Sequence, residues 1–303
     1  MRAWNIEGSM QNFSLQGCLL VLAGALCFST TGFTQALIAG DGATPYAIGA
    51  LRMLVGGLGL LALCAVRGRL PGLKGWPAKN LLLSALGVAG YQVFFFQGTL
   101  QAGVAIGTLA AMGFTPVVAA VLGLIFLKII PSREWYVSTA LALVGLLLMN
   151  WGKAGDLTAA ALLFPLAAGA AYGVYLTFSG PLLRSHPADV VMTVVLLFCA
   201  LCLLPGLFSE DLSWVFTFKG IIAVLHLGLV TTALGYICTL AGLQKTTPAI
   251  AATLSLAEPV CAALLGFFCL GEAVTALSFC GILLILGSTL LLVLLPHLKR
   301  SPR

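Results

Sequence analysis

The sequence predicts an all-α integral membrane protein of ten transmembrane helices, arranged as two inverted five-helix repeats. Three observations predict it. Hydrophobic residues make up 60% of the chain and charged residues only 8%, with a mean hydropathy of +1.10, a balance foreign to soluble globular domains. Basic residues segregate to alternate connections only if the number of spans is even and near ten. The chain also resembles itself at an offset of 143 residues.

A spanning helix needs about 20 apolar residues. Windows bounded by charge, glycine and proline place spans near 15–38, 44–66, 80–99, 102–127, 133–151, 158–180, 188–207, 218–243, 247–270 and 275–295. These stretches are apolar all round, whereas the strands of a membrane barrel alternate with period two, so helices are expected. The first, Leu15 to Ile38, is too long for the core of a secretory signal and no small-residue cleavage site follows it, so it is expected to be retained. No soluble domain of useful size remains between the spans.

With ten spans, Arg2, Arg67, Arg69, Lys74, Lys79, Lys128, Arg133, Arg184, Lys245, Lys299, Arg300 and Arg303 fall on one face. Lys153 and Lys219 fall on the other, together with Asp41, Asp156, Glu210, Asp211 and Glu272. Basic residues accumulate on the cytoplasmic side, so both termini are expected there. The formal net charge of +6 has its source in those loops and the tail, where it orients the chain and contacts anionic membrane lipid.

At the 143-residue offset, Leu100-Gln101 matches Leu243-Gln244, Pro116-Val117 matches Pro259-Val260, and Ala119-Ala120 matches Ala262-Ala263. Gly123 matches Gly266 and Leu127 matches Leu270. The expected repeats are 15–151 and 158–295. Five spans per repeat is odd, so the second copy enters the membrane from the opposite side, and a pseudo-two-fold axis in the membrane plane relates the halves. Exchanging the conformations of two such halves turns an inward-open state into an outward-open one.

The segment Leu256-Ala257-Glu258-Pro259-Val260, with Ala262-Ala263, Gly266, Leu270-Gly271-Glu272, Gly281 and Gly287, resembles the closing half of an EamA domain of the drug/metabolite transporter superfamily. The first half repeats the pattern more weakly through Thr115-Pro116-Val117, Gly123 and Gly145, and Arg52 sits where that family often carries an arginine in its second helix. The resemblance implies a ten-helix secondary carrier, often an exporter of amino acids or related metabolites, with its cavity between the halves. Two departures stand out: Thr115 replaces Glu258 in the first copy, and Lys128-Ile129 replaces Gly271-Glu272.

Ionisable residues inside spans cost about 2.5–3.5 kcal/mol at the helix centre, so each needs a reason. Glu258 faces two readings: a group that takes up a proton or meets a cationic group, or a permanent hydrogen-bonding partner of a neighbouring helix. Arg52 either forks a substrate carboxylate or pairs as scaffolding. His226 has an intrinsic titration range suited to proton coupling, or joins two helices as a neutral ring. Pro116 and Pro259 each remove a backbone donor, and the carbonyls of Met112 and Ser255 are expected to be left free at two midplane kinks. Tyr91, Gln92 and Gln97 in the third span, Tyr172 and Tyr175 in the sixth, Tyr236 in the eighth and Thr115 in the fourth are further candidates for a mostly apolar cavity with a few placed polar groups. Ser29, Thr30 and Thr31 add a polar patch in the first span.

Other chemistry finds little purchase. There is no HExxH, GxSxG, Walker-type or paired CxxC signature, and the three histidines, His186, His226 and His297, do not cluster, so neither an enzyme nor a metal or cofactor site is expected. Cys199 and Cys202 form a CxxC within an apolar run and read as small hydrophobes. Nothing suggests nucleic acid. The expected partners are a small-molecule substrate such as an amino acid, membrane lipid and protons; an uncoupled facilitator, a channel or a lipid scramblase would share the same bundle. Short loops suit a bacterial inner membrane.

Overall fold

The computed structural model describes residues 14–72, 75–152, 159–271 and 274–298. Among them there is no strand. The spans are α1 (Leu15–Ile38), α2 (Pro45–Val66), α3 (Ala78–Ala102), α4 (Val104–Leu122, continued by a π-turn Gly123–Leu127) and α5 (Arg133–Met149), followed by α6 (Leu163–Leu182), α7 (Ala188–Leu207), α8 (Phe218–Leu243), α9 (Pro248–Leu254 and Ala257–Leu270) and α10 (Ala276–Leu298). Nine of these are long and apolar enough to cross a membrane, and α5, with 17 residues, meets the lower limit of about 17. Residue 158, the expected start of the second repeat, lies outside the described residues, as do Arg2, Lys74, Lys153, Asp156, Glu272, Lys299, Arg300 and Arg303.

Local chemistry sets the helix starts. Thr44, Ser132, Thr217 and Thr247 stand in extended backbone before α2, α5, α8 and α9, and each hydroxyl accepts the N–H three residues on, from Ala47, Trp135, Gly220 and Ile250. Pro45 and Pro248 follow two of these caps at the first helical position, where no intrahelical donor is lost.

The packing obeys the duplication. α3 packs on α6 as α8 packs on α1; α4 packs on α6 as α9 packs on α1; and α2 meets α8 as α7 meets α3. The pairs α2·α7, α4·α9 and α5·α10 map onto themselves. Exchanging helix n for helix n+5 therefore leaves this pattern unchanged. At the α5·α10 crossing the backbones nearly touch: a Cβ on Gly281 would run into the Gly145 carbonyl oxygen, and one on Gly145 would lie 2.7 Å from the Gly281 oxygen. Without a hydrophobic drive between helices in lipid, such close contact is what holds them together.

Two apolar clusters result. The larger is built mainly on α1, α2, α3, α6, α7 and α8, includes the fully buried Tyr175 and Tyr236, and reaches α4, α5, α9 and α10 through Ala119, Trp135, Ala251 and Leu292; the smaller joins α5, α9 and α10 through Ala142, Leu146, Met149, Leu256, Val260, Ile282 and Ile285.

The two prolines behave differently. α9 is interrupted at Ser255 and Leu256, as Pro259 predicts, but the Ser255 carbonyl is not left free: the Glu258 N–H donates to it at 2.9 Å, closing a tighter turn. In α4 the helix runs through Pro116 without interruption, so the second expected break is absent. An unexpected irregularity lies in α8, where His226–Leu234 is wound as π-helix.

Helices α4 and α9 end alike, with the N–H of Lys128 or Gly271 bonding the carbonyl five residues back, on Gly123 or Gly266. Both end residues are left-handed, at φ of 59° and 69°. Only glycine adopts that conformation without cost, so Lys128→Gly is expected to stabilise the fold by about 0.5–1 kcal/mol and raise the apparent melting temperature in detergent. An unchanged or lower melting temperature would mean that the lysine side chain compensates for its backbone.

Candidate functional site

A cavity of about 490 Å³ opens at the seam between the two clusters, with Phe28 and Tyr236 on one side and Leu146, Leu256 and Ile282 on the other. Its size is that of a small-molecule site. Mid-helix residues form its floor: Phe28 of α1, Tyr91 of α3, Tyr172 of α6 and Glu258 of α9. Above them, Gln35 and Asn150 come from the last turns of α1 and α5, and Ser278 from the first turn of α10. The cavity therefore extends from mid-bundle toward the face at which α1 ends. On the opposite side, α5 and α9 are tied together: the Trp135 indole N–H is shared between the Ala249 carbonyl at 3.0 Å and the Thr253 hydroxyl at 2.9 Å, and Thr139 bonds Thr253 at 2.9 Å.

Its floor is aromatic. Phe28 and Tyr236 meet edge to face with centroids 5.0 Å apart, Tyr236 meets Tyr175 at 5.6 Å, Tyr175 meets Tyr172 at 5.3 Å, and Tyr172 meets Tyr91 at 5.2 Å. Such ring pairs add about 0.5–1.5 kcal/mol each beyond their buried area and hold the phenols in place.

Among the described lining residues only Arg52 and Glu258 are charged. Arg52 is 7% exposed and its Nε has no hydrogen-bond partner. Its charge acts on both Tyr236 and Glu258, yet no ion pair within 4.0 Å joins it to Glu258; among the described residues the ion pairs that close are Arg67–Asp189 at 3.1 Å and Lys219–Asp41 at 3.0 Å. The interruption of α9 puts Glu258 in the first turn of its second piece, where the positive end of the helix dipole lies.

The structure brings together Arg52, Tyr91, Gln92, Thr115, Tyr172, Tyr236, Glu258 and Pro259, with Ser29 and Thr31 of the polar patch. Five expected residues stand apart, Thr30 of the polar patch among them. His226 lies outside the cavity, its Nε2 3.0 Å from the Thr30 hydroxyl between α8 and α1. Tyr175 is buried behind Tyr172, its hydroxyl 3.6 Å from the Met192 sulfur. Pro116 does not reach the cavity, and Gln97 is exposed. Thr115 lines the cavity, but its hydroxyl is spent on the carbonyls of Ala111 at 2.9 Å and Gly169 at 3.2 Å, joining α4 to α6. Gln92 is buried with its amide 3.9 Å from the Met53 sulfur. No group of three or more potential metal ligands forms among the described residues. Of the CxxC pair, Cys199 is buried and Cys202 exposed, and both are free thiols.

Sequence reasoning passed over Gln35, Thr108, Asn150 and Ser278. A signal existed, since Thr31 and Gln35 on α1, and Thr108, Met112 and Thr115 on α4, recur at the four- and three-residue steps of one helix face.

A model of the EamA-like transporter family matches the chain twice, over residues 15–151 and 159–294. Among curated proteins, an uncharacterized transporter, YwfM of Bacillus subtilis (strain 168), is 35% identical over 284 residues, covering 93% of this chain and 95% of the relative. A solved structure, described only as the crystal structure of a protein, superposes with a TM-score of 0.80 at 20% identity over 95% of this chain and 99% of its own, which establishes likeness of fold alone.

Proposed function

The chain belongs to the EamA-like transporter family, and from that premise we propose a secondary transporter that exports small metabolites, amino acids foremost, by alternating access between its two inverted halves. The observation that carries this reading is the mid-bundle cavity at the seam of the two clusters, holding a buried guanidinium and a half-buried carboxylate that no ion pair joins. Opposite charges held apart in an aromatic pocket suit a molecule that carries both signs beside an apolar side chain. Arg52 takes the carboxylate through its planar fork. Glu258 carries either a proton or the cationic group of the substrate, so that export of one is exchanged for entry of the other. The membrane is a bacterial inner membrane with both termini cytoplasmic, which is where the positively charged connections point. The described cavity then faces outward, and the Trp135–Thr253–Thr139 contacts close the cytoplasmic side.

The test is uptake of a labelled amino-acid and metabolite panel into proteoliposomes of the purified protein, with and without an imposed pH gradient. Saturable uptake of one class that responds to the gradient is the expected result. Saturable uptake indifferent to the gradient identifies a facilitator, and non-saturating flux of many solutes, or lipid movement between leaflets, would overturn the carrier reading in favour of a channel or scramblase.

A further inference from the structure

We propose that the cavity binds the two ends of a zwitterion at once, carboxylate on Arg52 and ammonium on Glu258, so that the substrate's net charge sets how many protons accompany binding. A carboxylate lacking the ammonium group binds with one more proton than the zwitterion does. The inference rests on the carrier reading above and adds a rule of stoichiometry to it.

The rule follows from which groups can change charge. Arg52 keeps its charge at every accessible pH. Around Glu258 the titratable groups are Arg52 from α2, Tyr91 from α3, Tyr172 from α6, Tyr236 from α8 and, on its own helix, Cys261. Helices α1, α4, α5 and α10 line the cavity with none among the described residues. Phenols and a thiol are neutral donors at pH 7, so the Glu258 carboxyl is the one group in the cavity able to take or give a proton there. Inside a membrane an unbalanced charge is expensive, so occupied states near neutrality are favoured. With a zwitterion bound, Arg52 balances the carboxylate and an ionised Glu258 balances the ammonium. With the bare carboxylate bound, an ionised Glu258 would leave one negative charge uncompensated, and a proton drawn from water through the open end of the cavity onto a Glu258 carboxylate oxygen restores neutrality. The empty site is common to both reactions, so the difference of one proton holds whichever form of Glu258 it contains.

Two geometric facts make the two sites simultaneous rather than alternative. Arg52 and Glu258 line the same cavity of about 490 Å³, and no ion pair within 4.0 Å ties one to the other. Arg52 lines the cavity beside Tyr236, to which it is hydrogen-bonded, while its buried Nε has no partner, so the guanidinium is not fully committed to the protein.

The probes are L-phenylalanine, whose ring matches the aromatic floor, and 3-phenylpropanoate, which has the same ring and carboxylate but no ammonium. Calorimetric titration of the purified protein near pH 7, in two buffers of different ionisation enthalpy, gives the protons exchanged per ligand. The expected result is an uptake larger by one proton for 3-phenylpropanoate. In Glu258→Gln the difference should vanish, phenylalanine should weaken by at least about tenfold, and 3-phenylpropanoate should hold its affinity within about threefold. Equal proton exchange for the two probes in the wild type overturns the proposal without recourse to any variant, and so does a difference that survives in Glu258→Gln. If neither probe binds, this substrate class is overturned, while saturable flux of other solutes in the panel would still uphold the carrier.

Discussion

Proteoliposomes carrying Glu258→Gln are expected to equilibrate an amino-acid substrate without concentrating it. For the wild type, with the interior one pH unit more acidic and the membrane potential clamped by potassium and valinomycin, one proton leaving per substrate entering supplies about 1.4 kcal/mol, enough for about tenfold accumulation. Glutamine keeps the shape and hydrogen-bonding reach of the side chain but cannot alternate between a proton and an ammonium group. The accumulation ratio should therefore fall to one, with slower exchange because the ammonium loses its counter-charge. Labelled substrate inside and outside at steady state is the quantity to measure. Tenfold accumulation surviving in the variant would place the proton carrier elsewhere, with His226 and its Thr30 partner the next group to substitute.

Arg52→Lys should separate substrates by their carboxylate. Lysine retains the charge but presents a point donor in place of a fork, and loses a hydrogen bond to a charged group worth about 1.5–3 kcal/mol. The half-saturation concentration for phenylalanine is expected to rise by about 10- to 100-fold, while that of phenylalaninamide, which has no carboxylate, should move by less than about threefold. Equal loss for both would assign Arg52 to scaffolding between α2 and its neighbours.

The large features of this fold were legible because lipid imposes them. A backbone with no water to bond must be helical for some twenty residues at a time, and such windows are visible by inspection. The duplication was visible too, since Pro116-Val117 and Ala119-Ala120 recur 143 residues on as Pro259-Val260 and Ala262-Ala263. What a proline does in three dimensions was less legible. The α4 helix absorbs Pro116, whereas α9 gives way at Ser255 and reroutes the freed carbonyl to the Glu258 N–H. Membership of the cavity followed the same divide. Arg52 and Glu258 stood out because charge in a membrane is rare, but Tyr172 and Tyr175, three residues apart, differ in that one faces the cavity and the other packs behind it. Spacing along one helix does not say where its neighbours lie. His226 shows the converse, a residue singled out by its chemistry that packing commits to a single hydrogen bond.

The symmetry of the packing bears on the resting state. Were the two halves identical in sequence, the arrangements open to either face would be degenerate, each simply the other viewed from the opposite leaflet. Any preference between them must then arise where the halves differ: an interrupted α9 against a continuous α4, Glu258 against Thr115, Gly271 against Lys128. Each 1.4 kcal/mol of such mismatch biases the populations about tenfold. On the proposed alternating-access reading, divergence after duplication thus acts as a tuning of conformational bias, and the positions that distinguish the copies are the ones that decide which side of the membrane an idle molecule faces.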